Sequence, residues 1–347
     1  MNIGRLTSII IIAASVLAAL SCKKDEEEAE VLPSLEGNLS FHAPQFIEPG
    51  QTLTMTPKGL VHPEDKGIGF YWKVTPAMTS SDTTRLENGL SPEGQESDGS
   101  FTYTFPDSLA VYTVACYAFA DGYTGTSSSK YVTTVKPGLN GSLTSTGILP
   151  SDAHLTVDGQ DYYYVRIGDL EWFRNNIGVR TGGAPYNNAD IMSDVLGRYY
   201  KYEHAKQACE SLSTAEQTWA LPTLEDWRTL ESYVNGTLTS NNDAGRSLAA
   251  ALMADATFNS NTMWKYRPKV GDITNSSGFS AIPAGYANLA SSAFEGVYEY
   301  AAFWADADND DDEPTCRYII CDQPDMQIGK GDVNTLGASV RCVRESK

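Results

Sequence analysis

Four aspartates alternate along one short acidic stretch near the carboxyl end of the chain: Asp306, Asp308, Asp310 and Asp312. Carboxylate oxygens are hard ligands, and alternating aspartates supply them in calcium-binding loops. An EF-hand would need Gly at its sixth position and Glu at its twelfth, where this chain has Asp311 and Arg317, so that motif is excluded. Two interpretations stay open: a looser calcium site on Asp306, Asp308 and Asp310, or an acidic loop that only faces water.

Two cysteines five residues apart, Cys316 and Cys321, are the second candidate for chemistry. Soft thiolates are ligands that Cu(I) prefers. With Arg341-Cys342 downstream, the segment resembles the end of formylglycine-generating enzymes, in which a similarly spaced pair binds copper and a substrate cysteine is oxidised. That resemblance implies a copper-dependent cysteine oxidase as the enzymatic alternative. The other interpretations are a local disulfide or two thiols on a strand.

Three aromatic residues near the acidic stretch are candidates for contact with a ligand, because aromatic faces beside polar groups suit glycans: Tyr298, Tyr300 and Trp304. Tyr298 and Tyr300 alternate and are expected on one face of a strand, whereas Trp304 is expected to be packed. Gln323-Pro324-Asp325 is the tripeptide with which galactose-type C-type lectins bind calcium and sugar. It lies too close to Cys342 for that role, and an ordinary proline turn is expected.

The remaining motifs indicate no other catalytic arrangement. The four histidines have no metal-ligand spacing, and neither a Gly-x-Ser-x-Gly motif nor a phosphate-binding loop occurs. A glycosidase stays open on sequence grounds, since its two acids need only meet in space. We therefore expect a protein that is not an enzyme.

The amino terminus predicts the compartment. Residues 1–21 combine Arg5, an apolar stretch and small residues before Cys22, which is the pattern of a signal peptide. The position of Cys22 resembles the lipobox of bacterial lipoproteins, and this implies a lipid on its sulfur that anchors the chain in the outer membrane. The acidic tether 22–32 resembles the surface-export tag of Bacteroidota-type lipoproteins, although such a charge run also serves as a solvated spacer.

Composition limits the classes of partner. The chain of 347 residues has 44 acidic and 25 basic residues, a formal net charge of -19. Nucleic-acid binding needs clustered Lys and Arg, so DNA and RNA are excluded as partners. Apart from Cys22 the chain has five cysteines, an odd number, in a compartment that permits disulfides. At least one thiol is expected to stay free.

The residue pattern over 33–136 predicts an all-β domain. Short alternating segments such as Phe70, Trp72 and Val74 are broken by Pro, Gly, Ser and Asp, with almost no helical periodicity. A Trp in an early strand and a Tyr in a late strand resemble an immunoglobulin-like or PKD-like sandwich. No early cysteine is present to pair with Cys116, which is interpreted as a small buried hydrophobe. The domain has no family signature, and a spacer role is expected.

A turn-rich linker is predicted at 137–152 and an α+β domain at 153–347. In that domain Ala205, Ala208, Cys209 and Leu212 share one face of a short helix. A second helix is predicted to begin after Thr223, with Asp226 at the capping-box position, and to stop at Gly236.

The order of motifs from about Asp158 to Glu345 resembles a known family, the Fibrobacter succinogenes major paralogous (FISUMP) domain. These motifs are Ile167-Gly168-Asp169-Leu170-Glu171-Trp172, Gly197-Arg198-Tyr199-Tyr200, Ala205-Lys206-Gln207-Ala208-Cys209, Leu221-Pro222-Thr223-Leu224-Glu225-Asp226-Trp227, Gly278-Phe279-Ser280-Ala281-Ile282-Pro283-Ala284-Gly285-Tyr286, Phe303-Trp304 and Val340-Arg341-Cys342-Val343. The resemblance implies a C-type-lectin-like fold with adjacent chain ends and a disulfide between Cys209 and Cys342. The segment 210–218 and the acidic stretch depart from the family pattern, so ligand properties need not carry over.

These features together favour a surface-exposed lipoprotein that acts as a non-catalytic binding or adhesion module. A glycan or an extracellular protein is the expected ligand, and calcium is the only cofactor that the residues suggest. The alternatives are a structural component of a cell-surface assembly and the copper-dependent oxidase.

Overall fold

The computed structural model describes residues 31–77, 99–139, 141–145, 153–240, 247–259, 261–309 and 313–346. The predicted signal peptide, Cys22 and most of the acidic tether lie outside these ranges. Among the described residues, no helix has the length and apolar character needed to cross a bilayer.

The described part of the amino-terminal region is built from strands alone. They are β1 (Glu36–Ser40), β2 (Phe46–Ile47), β3 (Thr52–Met55), β4 (Lys58–Val61), β5 (Gly69–Pro76), β6 (Phe101–Thr104), β7 (Val111–Phe119) and β8 (Thr126–Thr134). The main sheet has the order β2-β8-β7-β5, while β1 pairs with β4 and β3 with β6. The prediction of a β-rich amino-terminal region is confirmed.

Alternation along the strands creates the core of this region. On β7 the side chains of Tyr112, Val114 and Cys116 are buried, and the residues between them point to the other face of the sheet. Trp72 packs against them from β5, and its indole N–H donates to the Gly99 carbonyl at 2.8 Å. Cys116 is a buried free thiol, as predicted.

The segment predicted as a linker is in part a strand. Residues Leu143–Ser145 form β9, which pairs antiparallel with Ala256–Phe258 of the second region. Before it, the Gly138 N–H donates to Asp194 Oδ2 at 2.8 Å and the Leu139 N–H to Gln160 Oε1 at 2.7 Å. A run of three strand residues is too short to give a periodic signal, and only its partner strand defines it.

In its described residues, the carboxyl-terminal region mixes short strands with four α-helices and two 3-10 turns. Its strands are β10 (His154–Val157), β11 (Gln160–Ile167), β12 (Leu170–Phe173), β13 (Gly183–Pro185), β14 (Arg198–Tyr200), β15 (Ala256–Phe258), β16 (Asn261–Thr262), β17 (Tyr286–Asn288), β18 (Ala293–Glu295), β19 (Tyr300–Ala305), β20 (Thr315–Ile320), β21 (Gln327–Gly329), β22 (Leu336–Gly337) and β23 (Val343–Glu345). Its helices are α1 (Ser193–Leu196), α2 (Tyr202–Glu210), α3 (Leu224–Ser240) and α4 (Leu248–Leu252). The chain as described is mostly β, with a mixed α/β carboxyl-terminal region.

The first and last parts of this region lie side by side. Strand β23 pairs with β12, with Trp172 opposite Val343. The predicted disulfide between Cys209 and Cys342 is present and joins the end of α2 to the segment before β23. The two ends of the region are therefore held together both by strand pairing and by a covalent bond.

Both predicted helices are present, but one ends later than expected. Ala205, Ala208 and Cys209 are buried on α2 as predicted, whereas Leu212 is buried beyond the end of the helix at Glu210, so its predicted place on α2 is wrong. The capping box is confirmed, since the Thr223 N–H donates to Asp226 Oδ2 at 2.8 Å and the Asp226 N–H donates to Thr223 Oγ1 at 3.1 Å. The predicted stop at Gly236 is wrong, because α3 continues to Ser240.

Candidate functional site

The acidic stretch begins at the end of β19, where Asp306 joins the sheet to two helices. Its N–H donates to the Pro222 carbonyl at 2.8 Å, and its carbonyl accepts from the Leu224 N–H at 3.1 Å. Its carboxylate accepts a hydrogen bond from the Tyr202 hydroxyl and pairs with Lys206 Nζ at 3.1 Å. Burial, together with this carboxylate, raises the pKa of Tyr202 to about 12, and the hydrogen bond from Lys206 to the carboxylate raises the lysine's pKa. Asp306 therefore anchors α2.

Asp308 lies at the start of α3. Its Oδ1 accepts from the Glu225 N–H at 2.7 Å, and its Oδ2 lies 3.4 Å from Arg228 Nη1. The positive end of the helix dipole favours a carboxylate at this position. Asp310 and Asp312 lie outside the described residues. Within the part of the chain that the structure describes, no group of three or more His, Cys, Asp or Glu is arranged to hold a metal ion, and the calcium site stays a prediction.

The two candidate copper ligands lie at opposite ends of β20. Cys316 is buried opposite Trp304, and Cys321 follows the last residue of the strand. Five residues of extended chain cover about 16 Å, and an odd spacing places the side chains on opposite faces. Both are free thiols, so the local disulfide considered above is not formed. In this conformation the two sulfur atoms do not converge on one ion.

The three candidate aromatic residues have three different environments. Trp304 is fully buried and its indole N–H donates to the Tyr200 carbonyl at 2.6 Å, so it is packed as expected. Tyr300 is half-buried at the start of β19, with its ring edge-on to Tyr286. Tyr298 precedes the strand in a turn with a φ of 74°, and the expectation that it shares a strand face with Tyr300 is wrong.

A cavity of about 510 Å³ lies beside the loop that departs from the family pattern. Glu216, Gln217 and Thr218 of that loop line it together with residues of β23, among them Arg344. Arg344 Nε donates to Glu171 at 2.5 Å, and its guanidinium lies 4.6 Å from the ring centroid of Trp219. Segment 210–218 therefore forms part of the wall of a surface cavity next to the paired strands β12 and β23.

The outer face of the main amino-terminal sheet carries a group of aromatic side chains that sequence reasoning missed. These residues, which we call the aromatic face, are Tyr71, Tyr117, Phe119 and Tyr131. The exposed fractions of Tyr117, Phe119 and Tyr131 are 40%, 55% and 66%. The rings of Tyr71 and Tyr117, opposite each other on β5 and β7, have centroids 5.6 Å apart.

Gly69 leaves room for one ring of the aromatic face. A Cβ on Gly69 would lie 2.4 Å from the Phe119 ring, so the absence of a side chain there gives the ring its place. The other outward positions of β5, β7 and β8 are Lys73, Thr75, Thr113, Ala115, Ser127 and Ser129. None of them is acidic, in a chain with a net charge of -19. The period-two alternation of these strands carries the signal, since the residues between the buried ones must point to the outer face of the sheet.

Comparison with known proteins agrees with the motifs. The Fibrobacter succinogenes major domain family matches residues 165–344, more than half of the chain. Neither the curated proteins nor the solved structures contain a match. The matched segment contains β12, the first two residues of β23, the disulfide and helices α1 to α4. The chain therefore belongs to the Fibrobacter succinogenes major domain family.

Proposed function

We propose that this protein is a non-catalytic binding module of the bacterial cell surface, anchored in the outer membrane by a lipid on Cys22, and that its ligand is a neutral glycan. The anchor and the location rest on the signal-peptide pattern and on the residues around Cys22. An extracellular protein is the alternative ligand.

The observation that carries the proposal is the aromatic face. Sugar rings have apolar C–H faces and hydroxyl edges, so they bind to exposed aromatic rings that have small hydroxyl side chains beside them. Tyr117 and Tyr131 supply the rings, and Ser127 and Ser129 on β8 lie between them. Because monomeric proteins seldom leave large apolar groups together on a surface without a role, this face is a natural ligand surface.

The charge of the aromatic face favours a neutral glycan. Its outward side chains include one cation, Lys73, and no carboxylate. A polyanionic ligand would need several Lys or Arg side chains, and a cationic one would need some of the acids that are abundant elsewhere in the chain. A neutral polysaccharide needs neither clustered cations nor carboxylates on the surface that binds it.

The proposal also assigns a specific fold to each of the two regions. For the first region we propose an immunoglobulin-like sandwich, supported by Trp72 and Tyr112 in the core between its sheets. For the second we propose a C-type-lectin-like fold, supported by the pairing of β12 with β23 and by the disulfide.

The test is retention of the purified chain on insoluble neutral polysaccharides such as cellulose, chitin, xylan and mannan. We expect retention on at least one of them. The double variant Tyr117→Ala/Tyr131→Ala should bind it at least about tenfold more weakly, a factor that corresponds to about 1.4 kcal/mol. Tyr233→Ala is the matched control, since Tyr233 is 53% exposed on α3, away from this face.

Three results would contradict the proposal. Retention on none of the polysaccharides would exclude a neutral glycan as the ligand. An equal loss of binding in the Tyr233→Ala control would exclude the aromatic face as the binding site. Release of soluble sugars from any of the four polymers would show catalysis and end the non-catalytic assignment.

A further inference from the structure

The two regions of the chain meet through specific contacts close to the end of the aromatic face. Asn187 Nδ2 donates to Gln45 Oε1 at 2.8 Å, and Asn259 Nδ2 donates to the Thr134 carbonyl at 3.1 Å. The ring of Phe46 lies 6.0 Å from that of Tyr186. Backbone, amide and aromatic groups of both regions therefore take part in the contact.

A cavity of about 170 Å³ lies at this contact and is lined by both regions. An apolar cavity of about 150 Å³ holds one benzene ring, so this volume corresponds to a single six-membered ring. Its base is apolar and buried, with Met192, Leu196 and Met263. At its rim are the exposed amides of Gln45 and Asn261. An apolar base under an amide rim suits a ring that has C–H faces and several hydroxyl groups.

One polar atom of the lining is buried without a hydrogen-bond partner. Asn259 Oδ1 has no donor within reach among the described residues. The amide orientation is fixed, because Nδ2 of the same side chain donates to the Thr134 carbonyl. A buried unpaired acceptor costs about 1–3 kcal/mol, so the packing of the two regions holds the Asn259 amide in this place at a cost in stability.

A strained tyrosine supplies one wall. Tyr298 has a φ of 74°, a left-handed value that is unfavourable for a bulky side chain. Its N–H donates to the Pro283 carbonyl at 2.9 Å and its carbonyl accepts from the Lys265 N–H at 3.1 Å, and these bonds hold the turn. Strain of this kind persists where the surrounding structure enforces it, commonly at ligand sites.

The aromatic face leads directly into this cavity. Val111 and Thr133, which face each other on β7 and β8, line the cavity. They continue the same outward face on which Tyr131 lies two residues away, about 7 Å along the strand. A glycan lying along the aromatic face would therefore meet the cavity at the end of the sheet.

No Asp, Glu, Lys, Arg or His side chain of the described residues lines the cavity. The pKa of a tyrosine is ordinarily about 10, and burial raises the pKa of Tyr186 and of Tyr298 above that value. We infer that the cavity binds one terminal neutral pyranose ring of the glycan that the aromatic face holds. This inference rests on the proposed function and deepens it: the protein recognises chain ends.

The experiment is saturation-transfer NMR on the full chain with the methyl glycosides of glucose, galactose and mannose. We expect transfer to at least one of them.

Phe46→Ala should weaken the binding of that glycoside at least about tenfold, because the Phe46 ring is a part of the cavity wall that comes from the first region. Asn259→Gly should do the same, since Gly keeps the φ of 47° without strain while removing the amide side chain that lines the cavity and bonds the first region. Val111→Phe, which fills the cavity, should abolish transfer. Tyr233→Ala is the control, and an unchanged thermal midpoint verifies folding.

The outcomes separate this inference from the proposed function. Absence of transfer from all three glycosides, or equal binding by the control and by Val111→Phe, would overturn the cavity assignment even if polysaccharide retention persists. Saturation transfer to phenol together with none to the glycosides would overturn the pyranose assignment. Loss of retention in Tyr117→Ala/Tyr131→Ala with the glycoside signal intact would locate polymer binding on the aromatic face and ring binding in the cavity, as expected.

Discussion

Arg341 is the residue that ties the segments of the second region together. It is completely buried and donates to Asn176 Oδ1 at 2.7 Å and to the carbonyls of Phe173 at 3.0 Å and Phe279 at 2.7 Å. Its guanidinium lies 4.9 Å from the Phe279 ring centroid and 5.6 Å from that of Phe303. Burial lowers its pKa to about 9, which leaves it charged at neutral pH. The Arg in the Val-Arg-Cys-Val motif thus satisfies carbonyls that would otherwise be buried without partners.

The three free cysteines of the described residues should differ in reactivity. Burial raises the pKa of Cys116 and of Cys316 to about 12, whereas Cys321 is only partly buried. At pH 8 a thiol with such a pKa is a thiolate in about one molecule in ten thousand. We expect iodoacetamide at pH 8 to modify Cys321 first, as measured by peptide mass spectrometry.

Denaturant supplies the control for this prediction. Guanidinium at about 6 M unfolds the chain. All three thiols should then react at similar rates, because their pKa values return to the ordinary range. Equal labelling of Cys316 and Cys321 in the folded protein would show that β20 opens or that the strand assignment there is wrong.

Among the elements, helix α3 continues past Gly236 because the burial of its side chains outweighs the cost of glycine in a helix. Gly in a helix interior costs about 1 kcal/mol relative to Ala. Val234 and Leu238, one turn apart on either side of Gly236, are both buried in the core. Burying a Leu side chain contributes about 1.5–3 kcal/mol, more than the glycine costs, so the helix continues past it.

The capping box of α3 gives a stability prediction. Thr223→Ala removes the hydroxyl that accepts from the Asp226 N–H and donates to the Asp226 carboxylate. We expect the free energy of unfolding to fall by about 1 kcal/mol, the usual value of an N-cap. Urea unfolding followed by circular dichroism measures it.

A second threonine on the same helix is the matched control. Thr239 is exposed near the end of α3, and its hydroxyl donates to the Asn235 carbonyl of the same helix. Thr239→Ala should change the free energy of unfolding by less than about 0.5 kcal/mol. If the two variants lost the same stability, the hydrogen bonds of Thr223 would not be what starts this helix.

At the scale of the whole molecule, the disulfide should be the largest single contribution to the stability of the second region. Cys209 and Cys342 are 133 residues apart in sequence. The chain-entropy model gives a bridge over such a loop about 5 kcal/mol. We expect the double variant Cys209→Ala/Cys342→Ala to lose several kcal/mol, measured by urea unfolding with tryptophan fluorescence, since five of the six tryptophans lie in this region.

Cys321→Ala is the control for the disulfide, because it removes a free thiol from the same region. It should unfold close to the unchanged chain. A double variant as stable as the control would mean that the pairing of β12 with β23 alone holds the two ends together, and that the covalent bond is redundant.

Features that depend on nearby residues or on the order of motifs could be predicted from the amino-acid sequence. The alternation of Tyr112, Val114 and Cys116 defined a strand, and the spacing around Thr223 defined a helix start. The order of the family motifs predicted both the domain and its disulfide. Each is a local or motif-level property, so it can be read along the chain.

Tertiary structure alone decided which side chains are available to a ligand. Asp306 is paired with Lys206, Trp304 is packed, and Cys316 is separated from Cys321 by the length of a strand. The aromatic face and the cavity at Tyr298 come from strands that are distant in sequence. Their side chains meet only when the sheet pairs and the two regions pack, because burial and proximity are set by residues far away along the chain.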